Sequence, residues 1–441
     1  MYRAMVFGAL GAFCMGTVGC LELDTAQGSG GGASSSTSGS GGAGGIGGSG
    51  GAGGMGGAGG MGGGGAGGGG AVAIREWTAT QPAFGSAPVY SFPDGWLQIT
   101  CPTGDRTSQF SASTLMRLYG PNAARPRNVG KGWGLSVERR RTNRIRGSES
   151  WMGQSWSSPA GPVAMSAMQL QPDPAGGTGA TKFSSSGSQQ SNYLGGLVGG
   201  TSSAWLKGDA GTAPYAYFTL GSTLNWAHVA VDDTSWRRYE IGNGNGYFML
   251  RTDGDADSDP PPIAGSTSVI AYAAQHEPNA KYPSSYIPTG DQDRTREADV
   301  LFSNLTETLL PGGYFHVVIK FAPNYAPGET EEPRPNLLYL NTSNRLYLDT
   351  QSNKVVLTTG AESLAGPSAL TWSREQELTI EAKVTPMGRL LSVSGATTGN
   401  FVVEDVKNVP VPTVGPLYVL GSDKGADECA DLRYIGFFPP N

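Results

Sequence analysis

The sequence predicts an all-β chain, two antiparallel β-sandwich modules behind a disordered glycine-rich tether. Three observations carry that expectation. Helical periodicity is scarce, while short aromatic and β-branched runs recur between clusters of Gly, Asn, Asp and Ser. From Glu377 to Val384 the pattern alternates strictly, placing Leu378, Ile380, Ala382 and Val384 on one face of a strand. Of the 70 glycines, 27 lie between Gly28 and Gly70, where little apolar surface is on offer to offset chain entropy.

The first element is a leader, residues 1–19. Arg3 precedes an apolar run from Met5 to Phe13, and small residues close the segment at Gly19. A charged start, an apolar stretch and a small-residue end make a secretory signal peptide. Cys20 follows directly, and the arrangement resembles a bacterial lipobox, which implies that Cys20 is the lipidated first residue of the mature chain. Thr17 stands where leucine is usual, and ordinary secretory cleavage near Gly19 is the competing reading. Both readings export the protein. The lipobox places it on the outer membrane or cell surface of a Gram-negative bacterium, with membrane contact through the lipid alone. Residues 20–75 are then anchor and linker, and the glycine tract spans about 35–40 Å as a flexible coil.

Composition excludes several classes. Charged residues make up 15% of the chain, against about 25% in ordinary globular proteins. A formal net charge of −6 argues against nucleic acid as a partner, since phosphate backbones need a basic surface. No later apolar run approaches the ~20 residues of a membrane-spanning helix. Of the four cysteines, Cys14 belongs to the leader and Cys20 to the lipid. Cys101 and Cys429 remain. In an oxidising compartment they favour a disulfide, with a pair of buried thiols as the alternative.

Within the folded region, Tyr215–Leu220, Trp226–Val231 and Trp236–Ile241 read as strands, followed by a meander at Leu337–Leu340, Arg345–Leu348 and Lys354–Thr359. The segment from Pro283 to Asp299 is rich in Pro, Asp, Thr and Gly, and suggests a boundary between modules at 80–295 and 296–441.

Several stretches together resemble a family. Gly134 to Glu138, Arg141 to Asn143 and Ser148 to Trp151 are similar to a signature of phage tail-fibre-like carbohydrate-binding proteins. Gln275 to Thr289, Arg294 to Asp299 and the closing Leu420 to Pro439 resemble later segments of the same proteins. The resemblance implies a jelly-roll module followed by a concanavalin A-like or laminin-G-like module, with carbohydrate as the partner. It implies no particular catalytic or sugar-contacting residue.

Residue by residue, candidates for chemistry are few. His228 and His316 alternate within strand-like runs and read as structural. Glu377 and Glu381 would sit about 13 Å apart on a strand, too far for glycoside hydrolysis, and Glu375 and Glu377 about 7 Å apart, on a charged face shared with Lys383. Asp253, Asp255, Asp257 and Asp259 alternate, and can converge on Ca²⁺ or form a solvated loop. The arginines between Arg125 and Arg146 serve either an anionic ligand or nearby carboxylates. Among the tryptophans, Trp151, Trp156 and Trp205 lie in the loosest contexts and are the candidates for stacking on sugar rings. The expected function is a surface lipoprotein that binds carbohydrate. A polysaccharide-degrading enzyme on the same fold and a structural envelope protein are the alternatives.

Overall fold

The computed structural model describes residues 72–80, 92–101, 106–109, 116–119, 122–128, 132–149, 170–185, 191–197, 199–209, 215–220, 225–231, 234–242, 246–251 and 267–440. Across them the chain is all-β, with every strand pairing antiparallel. Helix is confined to short turns such as Thr306–Leu309.

Two large sheets form the principal sandwich. One has eight strands, running Phe401–Asp405, Gly388–Ser394, Leu378–Thr385, Phe315–Pro323, Ala430–Phe438, Trp133–Val137 and Pro126–Asn128, with Arg75–Thr78 also pairing onto Ala430–Phe438. The other has seven, running Gln98–Thr100, Val300–Ser303, Leu417–Val419, Asn336–Asn341, Asn344–Asp349, Lys354–Thr359 and Glu362–Ala365. Leu378, Ile380, Ala382 and Val384 all enter the shared core, as their alternation predicts. From the opposite sheet comes a row of cross-strand partners, Leu301, Val419, Leu338, Leu346, Leu357 and Leu364. All six belong to the same core. Alternation along each strand then turns the neighbouring row outward, to solvent.

The boundary expected at 295/296 does not separate two sandwiches. Arg75–Thr78, Pro126–Asn128 and Trp133–Val137 complete the eight-stranded sheet, and Gln98–Thr100 pairs with Val300–Ser303 in the other. The intervening chain makes its own five-stranded and four-stranded sheets, from strands between Leu170 and Pro278. Hydrophobic patterning finds strands, but it does not say which distant strand becomes a neighbour.

Cys101 and Cys429 are both buried and unlinked, so the expected disulfide is replaced by two thiols. The sulfur of Cys101 is already engaged, donating to Asp299 Oδ1 at 2.8 Å. Burial pushes the Cys429 thiol up to about 12, which keeps it protonated.

Candidate functional site

The outward row of the seven-stranded sheet is unusual. Gln98, Phe302, Tyr418, Tyr339, Arg345, Thr358 and Ser363 are successive cross-strand partners, one per strand. Gln98 is exposed, and each of the other six is the chain neighbour of a residue in the inner row, so the row stands on the solvent side. Positions of this kind normally carry short polar residues. Here three consecutive strands present aromatic rings, all of them partly exposed. Phe302 and Tyr418 have ring centroids 6.3 Å apart and tilted by 41°. Tyr418 and Tyr339 are 6.2 Å apart at 53°. Burial, then the charge of Asp423 and the neighbouring Tyr339, holds the Tyr418 hydroxyl above its ordinary range, so it stays a neutral donor.

Local turns fix this arrangement. The hairpin joining Tyr339 to Arg345 is closed by Asn341, whose Oδ1 accepts from the Ser343 backbone at 3.0 Å and from Asn344 Nδ2 at 2.9 Å. Beside it, the small hairpin Gly421–Ser422 with Gly425–Ala426 carries Asp423 and Lys424. Gly425 has φ of +111°, and a Cβ there would stand 2.4 Å from Ala298 Cβ, so glycine is required for this hairpin to close on its neighbour.

Tyr339 forms part of the wall of a cleft of about 390 Å³ that also meets Arg139, Arg345, Asn336, Asp427 and Lys424. Asn336 is buried, and its Nδ2 donates to Asp427 Oδ2 at 2.6 Å while its Oδ1 has no partner. Burial raises the Asp427 carboxyl above its ordinary range. Arg139 lies 3.4 Å from both Glu331 and Glu428, and Arg140 3.3 Å from Glu297. Arg345 instead stacks over the Tyr347 ring with its Cζ at 4.3 Å, and Arg334 approaches the same ring at 5.8 Å. The surface thus offers flat apolar faces, then a cleft lined by donors and acceptors.

One of the three tryptophans expected as platforms is placed elsewhere. Trp205 is only 4% exposed, in the strand Gly200–Gly208 opposite Tyr272, and packs with Ile270 and Tyr286 in the second hydrophobic cluster. A central strand buried on both faces leaves it no surface. Cys20, Trp151, Trp156 and the aspartates Asp253, Asp255, Asp257 and Asp259 lie outside the described residues. Among the described residues, no group of three or more His, Cys, Asp or Glu could hold a metal ion. The carboxylates considered for glycoside hydrolysis each have a cationic or imidazole partner. Glu375 meets Arg127 at 3.2 Å, Glu377 meets Arg433 at 3.1 Å and Glu381 meets His316 at 2.8 Å.

Sequence reasoning missed Phe302, Tyr339, Tyr418 and Arg345 as a site because it sought tryptophans in loops. The usable signal was an aromatic residue at the outward phase of an alternating strand, as in Leu417-Tyr418-Val419.

No protein-family model matches the chain, and no curated protein matches it. Among solved structures it is similar to a xylan beta-1,4-xylosidase from Bacillus Halodurans C-125, at 13% identity and a TM-score of 0.21. That overlap covers 32% of this chain and 29% of the xylosidase, so the chain spans under a third of that protein's length. It is also similar to a truncated AlyQ with CBM32 and alginate lyase domains, at 10% identity and a TM-score of 0.19, over 69% of this chain and 98% of that one. Overlaps this loose assign no function to the chain, and the resemblance to phage tail-fibre-like proteins gains no support from a family match.

Proposed function

We propose that this chain binds carbohydrate on the outer face of its seven-stranded sheet and leaves the ligand chemically intact. The observation that carries the reading is the aromatic row Phe302, Tyr418 and Tyr339 at positions where a solvated sheet ordinarily has small polar groups. A sugar ring has an apolar C–H face and a rim of hydroxyls. The rings supply the stacking surface, and Asn336, Asp427 and Lys424 in the adjacent cleft supply acceptors and donors for the rim. Recognition without bond cleavage accords with Glu375, Glu377 and Glu381 being engaged by Arg127, Arg433 and His316.

The leader and Cys20 support display on the outer membrane or cell surface of a Gram-negative bacterium, through a lipid. Many copies tethered on one surface would raise a weak single-site affinity through effective concentration. Affinity electrophoresis of the full chain in gels containing a panel of neutral and charged polysaccharides tests the binding. Retardation by at least one polysaccharide, with no reducing ends released on incubation, is expected. Migration unchanged in every gel overturns carbohydrate binding, and release of reducing ends overturns the non-catalytic role. Incorporation of a fatty-acid label that Cys20→Ala abolishes tests the anchor.

A further inference from the structure

We infer that the cleft beside Tyr339 takes an anionic polysaccharide, whose carboxylate or sulfate groups are held between Arg334 and Arg345. This rests on the proposed carbohydrate-binding role of the same face and goes further, to the class of sugar.

Elsewhere on the sandwich, several arginines are neutralised. Arg125 holds Glu138 and Asp299, Arg141 holds Glu331, Arg389 holds Asp405 and Arg433 holds Glu377. Arg334, Arg345 and Lys424 have no such partner among the described residues, although the chain as a whole carries a net charge of −6. The two guanidiniums converge instead on one ring, at 4.3 Å and 5.8 Å from the Tyr347 centroid. Both also line the cleft beside Tyr339, where an oxyanion can accept from both forks and offset their mutual repulsion.

Geometry joins this charge to the stacking surface. Arg345 is the cross-strand partner of Tyr339, and Tyr339 of Tyr418. Adjacent strands lie ~4.8 Å apart, so the row from Phe302 to Arg345 spans roughly 14 Å. A short run of sugar rings laid along it would stack on Phe302, Tyr418 and Tyr339 and bring an acidic substituent to the arginines. A uronate and a sulfate ester share the chemistry required, and separate arms of the test tell them apart.

The test is affinity electrophoresis of the full chain with polygalacturonate, dextran sulfate, a panel of neutral polysaccharides and duplex DNA. The variants are Tyr418→Ala and the double variant Arg334→Gln/Arg345→Gln, whose folding is checked by thermal melting. The expected result is binding to polygalacturonate or dextran sulfate that weakens as salt rises, with the double variant bound about tenfold more weakly. Polygalacturonate alone identifies a uronate ligand, and dextran sulfate alone a sulfated one. Tyr418-dependent binding of neutral polysaccharides that the double arginine variant leaves untouched would overturn the anionic assignment while sparing the carbohydrate role. DNA bound as tightly as the acidic polysaccharides, with the same loss in the double variant, would overturn it too, because the site would then read charge alone. Absence of binding to every polysaccharide would bring down the carbohydrate role itself.

Discussion

Arg125 Nη1 lies 3.0 Å from Glu138 Oε2, and neither side chain is exposed. Arg125 also reaches Asp299 at 2.8 Å, and Arg296 reaches the same Glu138 oxygen at 2.7 Å. The Ser285 backbone donates to the other oxygen of Glu138 at 3.0 Å. Nearby, Asn143 Nδ2 donates to the Ile287 carbonyl at 2.8 Å, while its Oδ1 accepts from the backbone of Ile145 and of His276 at 3.0 Å. The stretches 134–149 and 275–299, distant in sequence and the most distinctive in the chain, therefore interlock through buried polar groups. Their buried polar groups join segments, while Arg139, Arg140 and Ala298 of the same stretches line the cleft proposed for ligand.

Glu138→Gln should destabilise the fold by about 3–5 kcal/mol, the cost of leaving buried charges without their partner. Burial alone would push the Glu138 carboxyl up, but Arg296 and Arg125 hold it well below its ordinary range, so the native fold depends on its charge. Chemical denaturation of the full chain measures the change. A variant as stable as the parent would mean that solvent reaches the network.

A fragment comprising residues 296–441 should fail to fold alone. It would lack Trp133–Val137 and Arg75–Thr78 beside Ala430–Phe438, and Gln98–Thr100 beside Val300–Ser303. Unpaired central strands expose both backbone and core. Circular dichroism and proteolysis read this out, and a protease-resistant β-rich fragment would restore the module boundary that composition suggested.

How much was legible in the sequence follows from the range of the interactions involved. The strand Leu378–Thr385 was readable because alternation is a local record of one wet and one dry face. The pairing of Val300–Ser303 with Gln98–Thr100 left no such record, since backbone hydrogen bonds carry no sequence label. Trp205 was misplaced for a related reason, because its strand is covered on both faces and therefore does not alternate. Tyr339 was visible as a strand residue, but its meaning appeared only when Tyr418 and Phe302 lined up beside it.

Both thiols should resist modification in the native protein. Cys101 and Cys429 are fully buried, and thiolate is the reactive form. A thiol reagent at neutral pH should label neither until denaturant is added, after which both react. A mass two hydrogens lower in the untreated protein would establish a disulfide instead.

Tyr418→Ala should cost about tenfold in polysaccharide affinity, equivalent to ~1.4 kcal/mol. Tyr418 is part-exposed on the outer row, whereas its chain neighbours Leu417 and Val419 fill the core, so stability should change little. Leu417→Ala is the control, expected to destabilise by about 2–5 kcal/mol without altering the binding surface. Equal affinity of Tyr418→Ala and parent would remove the aromatic row from the site.

Asp405→Asn should destabilise the protein by about 2 kcal/mol at neutral pH, with the difference vanishing in acid. Arg389 is fully buried, and its Nε donates to Asp405 Oδ1 at 3.0 Å, while its Nη1 donates to Thr359 Oγ1 at 2.8 Å. That guanidinium holds the Asp405 carboxyl below its ordinary range. A carboxylate whose folded pKa is depressed contributes stability that is fully present above the unfolded value of about 3.9 and is lost as pH falls through the folded value. Denaturation midpoints of parent and variant should therefore differ most above about pH 5 and converge as pH falls through the depressed folded value. A gap that stays constant across that window would mean that packing at Asp405, and not its charge, holds Arg389 in place.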